Sequence, residues 1–208
     1  MKISNFISFE GIDGAGKTTQ IKLLKEKLES NNYKVFVFRE PGGNKVNEQI
    51  REIILSKDFN ITRESEILLF LASRAELVNQ VIVPLLKDNV FIICDRYVDS
   101  TLAYQGYGRN INLEFIKKLN SFVTADLLPT CTFYLDIPID VMIERKKGGK
   151  YDRMEQSGLD FFKKVRNGYL ELVKYENRII NINANREIRD IELDIWEIMK
   201  SNFKGVLK

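Results

Sequence analysis

The sequence contains no histidine and only two cysteines among its 208 residues. The absence of histidine excludes an imidazole general base, a serine–histidine catalytic arrangement and a histidine-ligated zinc site. Any catalysis must therefore use carboxylates, lysines and arginines, with or without a bound cation. Cys94 and Cys131 each lie in an apolar, strand-like run, so we expect two buried free thiols rather than a disulfide.

The chain also lacks a large excess of charge of either sign. Its 32 basic and 29 acidic residues give a net charge of +3, which is too small to predict a nucleic-acid partner. No uninterrupted apolar run reaches the roughly 18–20 residues that span a bilayer, and "MKISNF" lacks the features of a signal peptide. We expect a soluble, cytoplasmic enzyme that acts on anionic small molecules, without a membrane partner.

Short apolar runs alternate with helical patterns along most of the chain. The length and the 44% hydrophobic content fit a single domain over residues 1–208. Uniformly apolar strands that alternate with amphipathic helices predict an α/β fold, with a five-stranded parallel sheet covered by helices on both faces. The predicted strands cover residues 5–10, 33–40, 89–97, 131–137 and 178–183.

Apolar residues at helical spacing predict the helices between these strands. In the third predicted helix, for example, Leu68, Leu71, Ala75 and Val78 follow this spacing. One segment differs in composition: "ERKKGGKYDR" is basic and contains glycines, which predicts a mobile insertion or lid over about 144–156. The predicted helices cover residues 17–30, 46–55, 64–86, 112–123, 139–146, 159–175 and 188–203.

The stretch "FISFEGIDGAGKTTQ" runs from a strand into glycines and then into a helix. Gly11, Gly16, Lys17 and Thr18 satisfy the G-x-x-x-x-G-K-[ST] spacing of a phosphate-binding loop. In such a loop, backbone N–H groups face an anion, the lysine reaches the terminal phosphates, and the hydroxyl of Thr18 can ligate Mg²⁺. A glycine-rich connector would leave the Lys-Thr pair unexplained. The predicted nucleotide contacts are Gly11, Ile12, Asp13, Gly14, Ala15, Gly16, Lys17, Thr18 and Thr19.

A phosphate-binding loop predicts a nucleoside triphosphate but does not define a reaction. A GTPase would need N-K-x-D after a strand, and "NKVN" fails at its last position. A motor ATPase or a nucleic-acid enzyme would need a larger chain or a basic face. A small kinase needs a second phosphate site and a lid that excludes water.

The third predicted strand leads into "DRYVDSTLAYQGYGR", which supplies candidates for that second site. Asp95 ends a buried strand near the loop, where a carboxylate can hold Mg²⁺ or its water. The guanidinium of Arg96 offers a fork of donors for a second phosphate. An Asp-Arg surface pair is the structural alternative for such a strand end, and the neighbouring phosphate loop favours the functional interpretation.

Taken in order, "FEGIDGAGKTTQ", "REPGG", "LLFLASRAE", "DRYVDSTLAYQGYGR" and "YDRMEQ" resemble the thymidylate kinases. These P-loop nucleoside monophosphate kinases transfer the γ-phosphoryl group of ATP to dTMP. The resemblance covers nearly the whole chain and is greatest to the bacterial type, because Gly14 stands where the eukaryotic type has a basic residue. In the bacterial type the lid supplies that positive charge.

The resemblance implies a role for each residue of the acceptor site. Asp13 would contact the deoxyribose 3′-hydroxyl, Phe70 would stack on thymine, and Tyr104 would exclude a 2′-hydroxyl. Arg96, helped by Arg51, would hold the dTMP phosphate. The whole set of implied substrate contacts is Asp13, Glu40, Arg51, Phe70, Arg74, Arg96, Ser100, Thr101, Tyr104 and Gln105.

The resemblance also implies Mg²⁺ at Thr18 and Asp95, an adenine contact at Asn183 and a homodimer. The lid bases would be Lys146, Lys147, Lys150 and Arg153. The implied mechanism is in-line transfer without a strong general base, with catalytic roles for Asp13, Lys17, Arg96 and Arg153. Another (deoxy)nucleoside monophosphate kinase and a non-catalytic nucleotide-binding module remain the alternatives.

Overall fold

Parallel strands form the centre of the protein in the computed structural model, which describes residues 5–88, 90–149 and 152–207. They are β1 (Phe6–Glu10), β2 (Val35–Arg39), β3 (Phe91–Asp95), β4 (Cys131–Asp136) and β5 (Ile179–Asn183). Within the described residues they form one five-stranded sheet in the order β2-β3-β1-β4-β5, and every pairing is parallel. The predicted fold class is confirmed.

The two faces of the sheet belong to two separate parts of the hydrophobic core. Ile7, Phe9 and Ile93 face one part, whereas Phe6 and Ile92 face the other, as side-chain alternation along a strand requires. The central strands β1, β3 and β4 are buried almost throughout, which agrees with their continuous apolar sequences. The outer strands β2 and β5 are only partly buried, because each has a neighbouring strand on one side only.

Amphipathic helices cover the sheet. Every helix predicted from the sequence is present, with bounds that differ by a few residues. The helices are α1 (Lys17–Ser30), α2 (Lys45–Leu55), α3 (Arg63–Leu77), α4 (Val83–Leu86), α5 (Val98–Thr101), α6 (Leu113–Thr124), α7 (Ile139–Arg145), α8 (Leu159–Tyr175) and α9 (Ile188–Asn202).

Helical structure between residues 98 and 108 was not predicted. Here α5 continues into a π-helical segment, Leu102–Gly108, in which Tyr104 and Gln105 lie. A π-helical segment of this kind is frequent at functional sites. The glycines and aromatic residues of "AYQGYG" have weak helix propensity, so the sequence pattern did not predict a helix here.

The third predicted helix is one continuous stretch in which a π-helical turn, Val78–Ile82, joins α3 to α4. By length and composition alone, Arg63–Leu86 is apolar enough to cross a membrane. It packs against α2 and α6 and carries the buried Arg74, as expected of a helix within a folded domain. Leu68, which the helical spacing placed with Leu71, is 58% exposed.

Candidate active site

Three neighbouring strands of the sheet end at the same edge, where polar residues follow each of them. β1 ends in Glu10, β2 is followed by Glu40, and β3 ends in Asp95. The register places Arg39 and Phe9 beside Asp95, so the three strand ends are adjacent. Ligands of open α/β sheets bind in the crevice at this edge.

The glycine-rich loop after β1 has backbone angles that require glycine. Gly11, Gly14 and Gly16 have φ values of +142°, +79° and +90°. A Cβ atom at Gly11 would lie 2.6 Å from the carbonyl oxygen of Leu135, so the loop passes directly over β4. These conformations turn the loop into the N-terminus of α1, where unpaired N–H groups favour an anion.

Lys17 is buried within this loop, with only 7% of its surface exposed. Its ammonium group donates to the carbonyl oxygens of Gly11 (3.0 Å) and Ile12 (3.3 Å). Burial, together with the nearby charge of Arg96, lowers the pKa of Lys17, which Asp95 and Asp13 partly oppose. The ammonium therefore lies at the mouth of the loop, as a phosphate contact requires.

The loop forms one side of a cavity of about 440 Å³, which we call the loop cavity. Thr18 and Asp95 both line it, so the two predicted metal ligands lie in the same space. Basic side chains from several elements supply its positive charge. The lining residues are Asp13, Gly14, Gly16, Lys17, Thr18, Thr19, Arg39, Glu40, Arg51, Asp95, Arg96 and Arg145.

A second, narrower cavity of about 100 Å³ lies beside the first, and we call it the deep cavity. Asp13, Glu40, Arg51 and Arg96 line both cavities, so they form a common wall. Every predicted acceptor contact lines the deep cavity. Its lining residues are Asp13, Glu40, Pro41, Arg51, Leu55, Phe70, Arg74, Arg96, Ser100, Thr101, Tyr104, Gln105, Asp152 and Met154.

Hydrogen bonds from both terminal nitrogens of Arg96 fix its side chain in this common wall. Its Nη2 donates to Asp13 Oδ1 (2.8 Å) and to the hydroxyl of Tyr104 (3.1 Å), and its Nη1 donates to Ser100 Oγ (3.2 Å). Its φ of +73° is uncommon for a residue other than glycine and costs on the order of 1–3 kcal/mol. Strain of this kind is retained where surrounding contacts fix a functional side chain.

The positive charge of Arg96 lowers the pKa of Asp13. Burial alone would raise the pKa of Asp13, but the positive charges of Arg96 and Lys17 outweigh it and hold the pKa below its ordinary value. Asp13 is therefore a carboxylate that can accept a hydrogen bond from a hydroxyl group in the deep cavity.

Behind Arg96 lies Glu10, a fully buried acid that the sequence analysis did not identify. Its carboxylate accepts from the backbone N–H of Tyr97 (2.7 Å), from Ser100 Oγ (2.6 Å) and from the hydroxyl of Tyr169 (2.8 Å). Desolvation, and then the charge of Asp99, raise the pKa of Glu10 to about 7. Ser100 and Tyr169 thus connect Glu10 to the Nη1 side of Arg96.

Phe70 and Arg74 lie on the same face of α3 and line the deep cavity together, as their spacing predicts. Arg74 is 1% exposed and its five N–H donors all have acceptors. Nε and Nη2 donate to Glu40 Oε2 at 2.8 and 2.6 Å. The other partners are Thr101 Oγ1 (2.7 Å), Asn120 Oδ1 (2.7 Å) and the carbonyl oxygen of Tyr97 (2.9 Å).

These hydrogen bonds fix Arg74 and Glu40 in the wall of the deep cavity. Burial would lower the pKa of Arg74, but the ion pair with Glu40 holds it above its ordinary value. The second oxygen of Glu40, Oε1, is buried without a hydrogen-bond partner among the described residues. It is an acceptor that a ligand in either cavity can use.

The basic residues at and after the end of α7 contact two different parts of the protein. Arg145 donates to the carbonyl oxygens of Gly14 (3.1 Å) and Ala184 (3.1 Å), and Lys146 forms an ion pair with Glu155. Because the guanidinium of Arg145 donates to Gly14, positive charge does lie beside the position at which the loop lacks a basic residue. Lys147 is exposed to solvent, and Lys150 lies outside the described residues.

Arg153 is not brought to the phosphate loop. Its Nε donates to the carbonyl oxygen of Ile54 (2.7 Å), and its Nη1 lies 2.9 Å from Glu66 Oε2. The side chain is therefore docked between α2 and α3. Asp152, next to it, lines the deep cavity.

Asn183, at the end of β5, is not one of the residues that line the loop cavity. Its side-chain oxygen accepts from the backbone N–H of Asn185 (3.0 Å), which shapes the turn after the strand. Arg145 connects this turn to the phosphate loop through Gly14 and Ala184. The guanidinium of Arg145 therefore joins the phosphate loop to Ala184, the residue that follows Asn183.

Sequence reasoning missed several residues of this site for different reasons. Glu10 had a usable signal, because it is the one charged residue in a strand that is buried throughout. Arg39 and Arg145 adjoin predicted residues, and Arg145 was overlooked within a basic run. Tyr169 and Glu66 carried no signal in the sequence, since long-range packing brings them to the site.

Comparison with known proteins agrees with this geometry. Residues 9–195 match the family described as thymidylate kinase. A thymidylate kinase of Kosmotoga olearia is 46% identical over 188 residues, which cover 89% of this chain and 90% of that protein. The thymidylate kinases of Thermosipho africanus (46% over 200 residues; 96% and 100%) and Chlorobium phaeobacteroides (46% over 213 residues; 97% and 97%) are similar over almost their whole lengths.

Proposed function

This chain belongs to the thymidylate kinase family, and we propose that its two joined cavities bind ATP and dTMP for transfer of the γ-phosphoryl group, which gives dTDP and ADP. The observation that carries this proposal is the common wall of the cavities. Arg96 and Asp13 lie where a donor phosphate in the loop cavity would meet an acceptor phosphate in the deep cavity.

In this proposal the acceptor nucleotide would occupy the deep cavity with its phosphate toward the common wall. Phe70 offers a ring on which thymine can stack, and Arg96 and Arg51 offer guanidinium groups for the phosphate. Asp13 would accept from the 3′-hydroxyl. Tyr104, fixed by its hydrogen bond to Arg96, would occupy the space of a 2′-hydroxyl.

The loop cavity would hold the phosphates of ATP. Lys17 would exchange the carbonyl groups of its own loop for the β- and γ-phosphates, and Arg145 and Asn183 would border the adenine. The acceptor phosphate is already ionised near neutral pH, so no general base is needed. Positive charge at Lys17 and Arg96 would stabilise the charge that develops on the transferred group.

The residues present also fit a magnesium ion. Thr18 and Asp95 supply a hydroxyl and a carboxylate in one cavity, and Mg²⁺ prefers one or two protein oxygens together with phosphate and water. Among residues 5–88, 90–149 and 152–207 there is no cluster of three or more acidic, histidine or cysteine side chains around a common point. When bound, the ion would neutralise charge on the donor phosphates.

The segment over about 144–156 would act as the lid of a single kinase domain that spans residues 1–208. Lys146 is the lid base beside Gly14 in this structure, and Lys147, Lys150 and Arg153 would complete the set. A contact between Arg153 and the transferred phosphoryl group would require Arg153 to leave Glu66.

We also propose that the protein is a cytoplasmic homodimer that associates through α2, α3 and α6. These helices pack side by side and expose apolar side chains at heptad-like spacing. A face of this kind can pair with the same face of a second copy about a two-fold axis, which is the usual form of a homodimer. The exposed residues are Val46 (50%), Ile53 (42%), Leu68 (58%), Phe115 (54%) and Phe122 (84%).

A coupled assay of ADP release tests the proposed reaction. With ATP and Mg²⁺, we expect ADP to form in proportion to added dTMP and only slowly without it. ADP release that does not depend on any nucleoside monophosphate would contradict the kinase assignment. Binding of ATP without any release would indicate a nucleotide-binding module.

A further inference from the structure

We propose that Glu66 fixes the orientation of the Gln105 side-chain amide, and thereby determines which base the deep cavity accepts. This inference rests on the proposed function, because it assumes that a nucleobase occupies the deep cavity. Glu66 itself does not line that cavity. It is a positioning residue that acts through Gln105.

Glu66 is a buried carboxylate in the first turn of α3, and it is 1% exposed. Both of its oxygens are engaged. Oε1 accepts from Gln105 Nε2 (2.9 Å) and Arg109 Nε (3.2 Å), and Oε2 accepts from Arg109 Nη2 (3.3 Å) and lies 2.9 Å from Arg153 Nη1. Two guanidinium groups therefore hold the carboxylate in place.

This arrangement leaves the amide of Gln105 only one favourable orientation. A carboxylate accepts hydrogen bonds and cannot donate them, so the atom of Gln105 that faces Glu66 must be the NH₂ group. A flipped amide would place two acceptors against each other in a site where Gln105 is 2% exposed. Oε1 is consequently the atom that remains for a ligand, and no described residue donates to it.

An oriented amide oxygen selects among pyrimidines. Thymine and uracil carry a donor N–H at position 3 beside the acceptor O4, whereas cytosine has an acceptor at position 3 beside a donor amino group. Oε1 of Gln105 can accept from N3–H of thymine, but it would face the bare N3 of cytosine. The unpaired acceptors would weaken cytidylate binding in this buried site.

Because Arg74 is already fully hydrogen-bonded, Gln105 contributes more than Arg74 to the discrimination between bases. All five N–H groups of Arg74 already have protein acceptors, so a base edge must share one of them. Gln105 Oε1, in contrast, has no hydrogen-bond donor among the described residues. Its orientation is therefore the more direct source of discrimination.

Steady-state kcat/KM values for dTMP and dCMP test this inference in the unmodified protein and in Glu66→Gln. An amide at position 66 can donate or accept, so it would no longer fix the orientation of Gln105. We expect the dTMP-to-dCMP ratio of kcat/KM to fall about tenfold, chiefly through KM. A ratio that is unchanged while both values fall together would overturn the inference, because it would show only a general structural role.

Arg109→Gln is the matched control. It also removes a charged partner from the same carboxylate, but Glu66 would still accept from Gln105. We expect its dTMP-to-dCMP ratio to stay within about twofold of the unmodified value. An equal fall of the ratio in both variants would overturn the inference, since loosening of the ion cluster would then explain it.

A second variant covers the case in which Glu66→Gln does not fold. Gln105→Met removes the amide that Glu66 orients while it keeps the length of the side chain, and its dTMP-to-dCMP ratio of kcat/KM should fall about tenfold. An unchanged ratio would overturn the inference. If the unmodified protein does not phosphorylate dTMP, the proposed function fails; a normal dTMP reaction with an unchanged ratio in Gln105→Met refutes only the role of Glu66 and Gln105.

Discussion

Arg96 Nη2 lies 2.8 Å from Asp13 Oδ1, and this ion pair joins the residue after β3 to the phosphate loop after β1. Both residues line the loop cavity and the deep cavity. The pair therefore fixes the donor loop and the acceptor site relative to each other. In-line transfer depends on such positioning, because the protein contributes little covalent chemistry to it.

Lys17→Ala should reduce kcat by on the order of 10²- to 10³-fold while the fold is retained. The lysine supplies a buried positive charge at the mouth of the phosphate loop, and its removal leaves the glycine conformations of the loop unchanged. Kinetics and a thermal melt would be measured together. Lys22→Ala, at an exposed site on the same helix, is the control. A folded Lys17→Ala protein with near-normal turnover would refute the phosphate-loop assignment.

Replacement of Lys146, Lys147, Lys150 and Arg153 by methionine together should lower kcat strongly, with a smaller effect on the KM for dTMP. The reason is that position 14 of the phosphate loop is a glycine and not a basic residue, so the lid must supply the charge that a basic residue would give there. Steady-state kinetics with dTMP as the varied substrate would separate the two parameters. An unchanged kcat would remove the lid from the mechanism.

Glu10→Gln should change how stability depends on pH. The folded state retains the proton of Glu10 up to about pH 7, whereas the unfolded chain releases it near its ordinary pKa of 4.5. Between these values the unfolded state binds fewer protons, so the unmodified protein loses stability as pH rises. The free energy of unfolding of Glu10→Gln, relative to the unmodified protein, should rise by up to roughly 3 kcal/mol from pH 4 to pH 8.

Urea titrations at several pH values would measure this difference. The amide has its own cost against the three donors around position 10, but that cost is constant with pH and does not affect the slope. A difference that stays flat from pH 4 to pH 8 would mean that Glu10 titrates normally in the folded protein.

Phe122→Glu should convert a dimer into a monomer without loss of folding, because the ring is 84% exposed in the single chain. A charge at the centre of an apolar interface would remain unpaired when two copies meet. Sedimentation analysis would report the change. Tyr175→Glu, which alters an equally exposed ring outside α2, α3 and α6, should leave the mass unchanged. If the unmodified protein sediments as a monomer, the proposed interface is wrong.

The order of strands and helices could be predicted from the sequence because each buried strand is a continuous apolar run. Leu68 shows the limit of such patterns. Its spacing is that of a core residue, yet it is 58% exposed on the proposed dimer face. An apolar stripe indicates that a helix face is buried against other protein, but it does not indicate whether that protein is the same chain or a second copy.

The site was predictable where its residues are contiguous. The phosphate loop and the residues after β3 carry their spacing in the sequence, so Lys17, Asp95 and Arg96 could be identified. Tyr169 and Glu66 could not, because α8 and α3 reach the site only through packing. The docking of Arg153 on Glu66 was equally inaccessible, since a basic lid residue has no local signal for its partner.

Initial-rate measurements with a panel of nucleoside monophosphates, ATP and Mg²⁺ test the account most directly. The stacking surface of Phe70 and the polar group of Gln105 predict the highest kcat/KM with dTMP, a lower value with dUMP for want of the methyl contact, and a low value with dCMP. The ring of Tyr104, in the space of a 2′-hydroxyl, predicts a low value with UMP. A kcat/KM with UMP or CMP equal to or above that with dTMP would contradict the thymidylate specificity.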